Sequence, residues 1–322
     1  KLIKEREKGI IYSINSWNNN FYMHTNKDAE DFKILVSKSI DSNNWEDFIS
    51  AKDETLIGSL VFLNNWIIRT ELTNALDKVF IRNIITNEEE ELIFTDEKVY
   101  DPSVSLRQKD RDTDEIYISY STPKTQNRTY LYNIKTKEKK LVKEQIIPSG
   151  HEPNDYIVER LECPSHDGRV VPITITRHKN TPIDGSAELL LYGYGSYGHS
   201  MSPTFSSTRL SLIKRNIIWA TAHIRGGMER GMKWWKEGKL LNKKNTFKDY
   251  IACAKFLIEK KYTSKKKIIG MGGSAGGLLM GVVVNEEPDL FLGVIMAVPF
   301  VDSLTTNLCL LYTSPSPRDY PG

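Results

Sequence analysis

Residues 270–277 read GMGGSAGG, a serine set among glycines between an apolar run and a helix-like run. Within it, Gly272-Gly273-Ser274-Ala275-Gly276 has the spacing G-x-S-x-G, with a strand expected before it and a helix after. A serine at the tip of such a turn is held in a strained backbone conformation, with its hydroxyl projected above the sheet. Residues two before and two after are crowded against it, and Gly272 and Gly276 leave out the side chains that would not fit. Gly273 completes the turn. The chemistry is acyl transfer. The Ser274 hydroxyl attacks a carbonyl carbon, and the backbone N–H of Ala275, free at the helix start, stabilises the oxyanion. A phosphate loop or a plain tight turn is the competing reading. The spacing is not G-x-G-x-x-G and no Walker lysine follows, which argues against phosphate.

A second candidate is Tyr192-Gly193-Tyr194-Gly195-Ser196-Tyr197-Gly198, at the C-terminal end of the strand-like run Glu188–Tyr192. Open α/β sheets place their sites at that edge. The Tyr194 hydroxyl keeps its proton at neutral pH and can donate to an oxyanion. By chemistry alone, a turn packed with aromatics is an equal reading. The serine also needs a base. For a serine on a turn of this kind the acid and then the histidine are expected later in the chain, yet all six histidines (His24, His151, His166, His178, His199, His223) precede Ser274. Asp289, Asp302 and Asp319 follow it. His199 and His223 fall near the active edge, but a histidine on or beside a buried strand is more often structural.

The elements that must hold these residues change rhythm along the chain. Beyond the breaker cluster Pro148–Asp155, strands alternate with helices. RVVPITITRH (169–178) alternates as an exposed strand, while ELLLY (188–192), NIIWATAHI (216–224), KIIGM (267–271) and LGVIMAV (292–298) read as buried strands. Phe247, Tyr250, Ile251, Ala254, Leu257 and Ile258 fall at helical spacing, and Thr246 with Asp249 suggests a capping pair. A second helix starts at Ala275. This pattern predicts an α/β fold with a parallel or mixed sheet. Residues 1–147 read instead as strands and turns. KILVSKSI (from Lys33), KVFIRNII (from Lys78) and RTYLYNIK (from Arg128) recur at intervals of 45 and 50 residues, each followed by a polar turn. That period suggests about three four-stranded propeller blades, against an irregular β-sandwich. Three blades do not close a ring. The expected division is a partial β-propeller over 1–150 and an α/β domain from 151; the family resemblance set out below implies that the latter is the first part of a hydrolase domain, over 151–308, and that 309–322 is a non-native tail, expected to be disordered.

Composition narrows the classes. The 322 residues carry 44 Lys+Arg and 41 Asp+Glu, a net charge of +3, which gives no argument for nucleic acid. The clusters Lys265–Lys267 and Lys243-Lys244, and the run Glu88–Glu91, read as solvated faces and a surface turn. The cysteines Cys163, Cys253 and Cys309 form no CxxC, so neither a disulfide framework nor a metal site is expected. A reducing, cytoplasmic setting fits. No apolar run is long enough to span a bilayer as a helix, and no cofactor is expected.

Four segments together carry a family resemblance: LLLYGYGSYG (189–198), AHIRGGMERGMKWWKEGKLLNKKNTFKDY (222–250), GMGGSAGGLLMG (270–281) and VPFVDSLTT (298–306). The chain resembles the prolyl oligopeptidase family of serine peptidases, and within it oligopeptidase B, across nearly all of residues 1–308. The resemblance implies an α/β-hydrolase domain, incomplete here, preceded by part of a β-propeller that keeps large folded substrates from the serine. It implies Ser274 as nucleophile, Tyr194 and the Ala275 N–H as the oxyanion hole, short peptide substrates, and a preference for Arg or Lys before the scissile bond. Asp302 matches the family's PFVD pattern rather than its catalytic acid. The acid, the histidine and the residues that read a basic substrate side chain come later in the family pattern than this chain extends. CLLYTSPSPRD (309–319) reads like one translated frame of a transposon-end sequencing adapter, and Ser314-Pro315-Ser316-Pro317 cannot continue a helix or a central strand. The chain is therefore expected to be an inactive fragment of a serine oligopeptidase. An esterase or lipase on the same fold, or a non-catalytic peptide-binding propeller, are the alternatives.

Overall fold

The computed structural model describes residues 5–41, 44–107 and 111–308. The 309–322 tail and its Asp319 lie outside the described residues.

Three four-stranded antiparallel sheets come first. They are β1 (Tyr12–Trp17), β2 (Asn20–Thr25), β3 (Lys33–Ser37) and β4 (Glu46–Ile49); then β5 (Thr55–Phe62), β6 (Trp66–Thr73), β7 (Leu76–Asn83) and β8 (Glu89–Glu91); then β9 (Asp101–Leu106), β10 (Glu115–Ser121), β11 (Arg128–Asn133) and β12 (Lys139–Glu144). Each is a blade with its strands in sequential order. The three repeated runs of the sequence fall on β3, β7 and β11, the third strand of each blade. Their apolar residues face the neighbouring blade. Ile68, Val79 and Ile81 of the second blade pack with Ile116, Ile118 and Tyr132 of the third.

The acidic run Glu88–Glu91 departs from expectation. It contributes the edge strand β8 rather than a turn. Glu89 pairs with Arg69 and Arg82, Glu91 with Lys78, and Glu90 with Lys137 of the third blade. Opposite charges from neighbouring strands make the like-charged run tolerable in a sheet.

The second half is one six-stranded mixed sheet, in the order β13-β14-β16-β15-β17-β18. Its strands and helices are β13 (Tyr156–Pro164), β14 (Val170–His178), β15 (Leu189–Tyr192), α1 (Ser207–Ile213), β16 (Ile218–Ala222), α2 (Gly231–Lys236), α3 (Lys244–Glu259), β17 (Ile268–Gly273), α4 (Ala275–Glu286), β18 (Phe291–Ala297) and α5 (Ser303–Leu308). β13, β14 and β16 pair antiparallel, and β16, β15, β17 and β18 run parallel. Successive side chains of β15 go to opposite faces. Leu189 and Leu191 enter the core under α3 and α4, while Leu190 packs with α1. Strands buried on both faces read as continuous apolar runs, which is why ELLLY shows no alternation. No helix of the described residues is long and apolar enough to cross a membrane.

Three expectations fail here. β18 is not a buried strand: it is the last strand of the sheet, and beyond Phe291 it is largely exposed, Leu292, Ile295 and Met296 included. β14 is not an exposed strand, since Val171 to Thr176 are all buried. One face enters the core, and the other meets a polar layer in which Thr174 bonds Arg160 and His223. Arg160 in turn reaches the Asn74 carbonyl of the second blade. Thr246 and Asp249 are not a capping pair either. α3 already begins at Lys244, and both side chains are fully buried. Thr246 Oγ1 donates to the carbonyls of Arg225 and Gly238, and Asp249 binds the Arg225 guanidinium. A tertiary partner takes the groups a cap would use.

The blades and the sheet meet along the segment 226–236. The Ala75 amide donates to the Glu229 carbonyl at 2.8 Å, Asp31 Oδ1 accepts from the Met232 amide at 2.5 Å, and Met232 joins the core of the first two blades.

Candidate active site

β17 runs directly into the turn at Ser274, whose backbone sits at φ 54°, ψ −114°. A non-glycine residue adopts such a conformation only when its surroundings impose it. Here β18 does so. The Ser274 amide donates to the Ala297 carbonyl at 2.8 Å, and its own carbonyl accepts from the amides of Phe300 at 3.0 Å and Gly277 at 2.9 Å. Ser274 is exposed. Ala275, buried beside it, is the first residue of α4. A helix start has no carbonyl of its own for that amide, and the helix dipole is positive there.

The glycines are there for packing. A Cβ on Gly272 would meet the Gly276 carbonyl oxygen at 2.3 Å. One on Gly276 would lie 2.9 Å from the Gly193 oxygen and 3.4 Å from the Tyr194 ring. Gly273 differs: a Cβ there reaches Ala297 no closer than 3.5 Å, an ordinary contact. Its place in the turn does not require glycine. Gly277, which spacing alone does not single out, does: a Cβ would stand 2.5 Å from Pro299 Cα.

The same contacts bring Tyr194 to the serine turn. The Gly193 amide donates to the Met271 carbonyl at 3.1 Å, so the loop after β15 stays beside β17 and lays Tyr194 against Gly276. Burial, and then the neighbouring Tyr197 hydroxyl, raise the Tyr194 pKa. The phenol therefore keeps its proton and remains a donor at neutral pH. The His199 ring stands edge-on to Tyr194, centroids 5.5 Å apart. Together the two loops present an exposed hydroxyl, a helix-start amide and a protonated phenol at the C-terminal edge of the sheet. Such a set can receive an acyl carbon and the negative charge that develops on its oxygen.

The other titratable candidates lie elsewhere. His223 is fully buried, with Nε2 2.8 Å from Thr174 Oγ1, and burial lowers its pKa well below the usual histidine value. His24 bonds the Ile57 carbonyl among the blades, and His151, packed on Tyr156 and Phe205, bonds the Lys124 carbonyl of the third blade. His166 lies against Ser165 and Asp167, and His178 caps the turn at Asn180. Asp289 pairs with Lys266 on the surface, and Asp302 accepts from the Thr305 amide at the start of α5. No group of His, Cys, Asp and Glu suited to a metal occurs among the described residues.

Sequence reasoning missed Lys243. Beside Lys244 it reads as solvated, yet its Nζ turns inward and donates to the Gly195 carbonyl at 2.5 Å and to Ser196 Oγ at 2.7 Å. No local signal separates it from its neighbour.

Propeller blades ahead of a sheet in this strand order, with a serine on the strand-to-helix turn, define a propeller-bearing α/β-hydrolase. The chain belongs to the prolyl oligopeptidase family, a family of serine peptidases. The description "Prolyl oligopeptidase, N-terminal beta-propeller domain" matches residues 1–145, and "Prolyl oligopeptidase family" matches residues 203–319. The chain is 36% identical to the dipeptidyl aminopeptidase BI of Pseudoxanthomonas mexicana, over 95% of this chain and 42% of that protein. It is 34% identical to protease 2 of Moraxella lacunata, over 96% and 44%. Oligopeptidase B from Trypanosoma brucei, solved in a closed form with covalently bound antipain, superposes with a TM-score of 0.87 at 33% identity, over 94% of this chain and 44% of that one. The chain thus spans less than half the length of these relatives.

Proposed function

We propose that this segment carries the nucleophile and oxyanion site of a serine oligopeptidase that cleaves short peptides through an acyl-enzyme. Ser274 Oγ attacks the scissile carbonyl, and its proton passes to a base. The carbonyl oxygen gains the electron pair and is met by the Ala275 amide and the Tyr194 hydroxyl. Collapse of the tetrahedral intermediate expels the amine and leaves the acyl group on Ser274, for water to remove. The observation that carries this reading is the Ser274 backbone, held at φ 54° by β18 with its side chain exposed. The covalent antipain complex of the trypanosomal relative supports it. The first 150 residues act as part of a propeller filter, and residues 151–308 as the first part of the hydrolase domain.

Cleavage after Arg or Lys is the specificity we assign. It is supported by the likeness to oligopeptidase B and by the YGYGSYG and KKNTFKDY stretches. No histidine follows Ser274. Five of the six upstream histidines are engaged as described above, and His199 faces Tyr194. We therefore assign no general base within residues 1–322, which alone turn over peptides negligibly. A serine without its base stays protonated and weakly nucleophilic.

The test is a fluorophosphonate probe and an Arg-linked chromogenic amide, applied to the full-length enzyme and to residues 1–322. The full-length enzyme is labelled on Ser274, loses labelling in Ser274→Ala, and cleaves the Arg-linked amide faster than a Pro-linked one. Labelling that survives Ser274→Ala overturns the nucleophile assignment. Efficient amide cleavage by residues 1–322 overturns the missing base.

A further inference from the structure

The loop that presents Tyr194 is held from outside by a single cation. Lys243 stands just ahead of α3, and its Nζ bonds two consecutive residues of the loop, the Gly195 carbonyl and the Ser196 hydroxyl. Both bonds are partly shielded from water, since Ser196 is buried and Lys243 half-buried. The ammonium also lies 5.8 Å from the Phe247 ring centroid. Burial lowers its pKa to about 8. No carboxylate partner offsets that desolvation among the described residues. A lysine so placed is held for the carbonyl and hydroxyl it bonds, not for an ion pair.

The loop around those bonds has little freedom of its own. Gly195 has φ +63°, and a Cβ on it would lie 2.4 Å from Thr246 Cγ2 and 2.9 Å from the Arg225 carbonyl oxygen. Its own carbonyl oxygen lies where a Cβ on Gly226 would stand 1.9 Å away. The Gly198 amide closes the loop onto the Gly226 carbonyl at 2.9 Å. Backbone packing therefore fixes where the 195–196 peptide lies, and Lys243 fixes which way its oxygen points. Rotation of that peptide moves Tyr194, the residue directly before it. An oxyanion donor is effective only when its direction is set before the charge develops.

Resting on the serine-peptidase reading above, we propose that Lys243 is a positioning residue for the oxyanion site, anchoring the Gly195–Ser196 peptide so that the Tyr194 hydroxyl points at the developing charge. Lys243 bonds the loop and not the nucleophile Ser274. Its effect passes through Tyr194, and that gives the test.

In the full-length enzyme containing this segment, kcat and KM for an Arg-linked amide are measured for Lys243→Met, Tyr194→Phe and the double variant. Lys243→Met lowers kcat about tenfold or more with KM unchanged, since only the transition state uses the donor. In the Tyr194→Phe background the same change lowers kcat no further, because the group it positions is gone. Lys243→Arg, which keeps the charge and the donors, recovers part of the rate. Hydrogen exchange at residues 194–198 quickens in Lys243→Met while the melting temperature holds. Unchanged kcat in Lys243→Met overturns the proposal, as does a loss that simply multiplies that of Tyr194→Phe. If Lys243→Met does not fold, Lys243→Gln takes its place in the same cycle, with the same two overturning results. Full activity in Ser274→Ala overturns the underlying peptidase reading instead, so the two failures are told apart.

Discussion

Gly272 lies so close to Gly276 that a Cβ added to it would stand 2.3 Å from the Gly276 carbonyl oxygen. The two residues close the turn from either side of Ser274, and that contact brings the end of β17 against the first turn of α4. Gly272→Ala is expected to destabilise the fold by about 1–3 kcal/mol, the usual range for overpacking, because backbone rather than a flexible side chain blocks the methyl. Gly273→Ala is expected to change stability little, since its nearest neighbours are at 3.5 Å and beyond. Denaturant midpoints for the two variants check the contrast. Equal losses would mean that the turn needs glycine for its backbone angles and not for this contact.

Removing the Tyr194 hydroxyl tests the other side of the site. Tyr194→Phe keeps the ring against Gly276 and His199 and deletes only the donor. Loss of one oxyanion donor lowers kcat by roughly 10²–10³-fold. KM stays near its original value, because the ground-state carbonyl uses the donor little. Steady-state kinetics of the full-length enzyme read this directly. A change confined to KM would place Tyr194 in substrate binding instead.

What the sequence disclosed about this site follows from how local each cause is. The crowding around Ser274 lies within five residues and shows in the spacing of Gly272 and Gly276. The blades show because β3, β7 and β11 repeat one apolar pattern at regular intervals. What stayed hidden depends on distant partners. β14 looks half-exposed until the polar layer of Arg160, His223 and the second blade covers it. Thr246 and Asp249 look like a cap until Arg225, 24 residues before Asp249, takes the carboxylate. Lys243 and Lys244 look alike, and only the fold turns one of them inward.

The Arg225–Asp249 pair predicts a large stability effect away from the chemistry. Arg225 is 1% exposed and Asp249 fully buried. Two bonds of 2.6 and 2.8 Å join them, and Asp249 also accepts from the Arg225 amide and the Ser165 hydroxyl. Asp249→Ala leaves a guanidinium buried with Asp167 as its main remaining hydrogen-bonded carboxylate. Breaking a buried pair from one side costs about 3–5 kcal/mol. Denaturant unfolding of Asp249→Ala should show a loss of that size. Arg225→Met with Asp249→Leu, which removes both charges, should recover much of it. A double variant no better than the single would place the effect in packing rather than in the half-paired charge.

Glu229 predicts a pH dependence opposite to that of an ordinary ion-paired carboxylate. It is 2% exposed where the blades meet the sheet, its Oε1 accepts from the Met201 amide, and burial raises its pKa to about 7 against the attraction of Arg160. The folded protein therefore holds a proton that the unfolded chain releases near 4.5. Between those two values the folded state binds more protons, so this carboxyl contributes stability that is lost as pH rises from about 4.5 through about 7. Across that window the change is on the order of 3 kcal/mol. His223 acts in the opposite direction, since its folded pKa lies below the unfolded one and acid costs it stability. Comparison with Glu229→Gln separates the two, because the amide fills the same space and does not titrate. Denaturant midpoints at pH 5 and pH 8 should show wild type losing more stability than Glu229→Gln on the way up. Parallel pH curves for the two proteins would mean that Glu229 is ionised in the folded state, with Arg160 holding its charge.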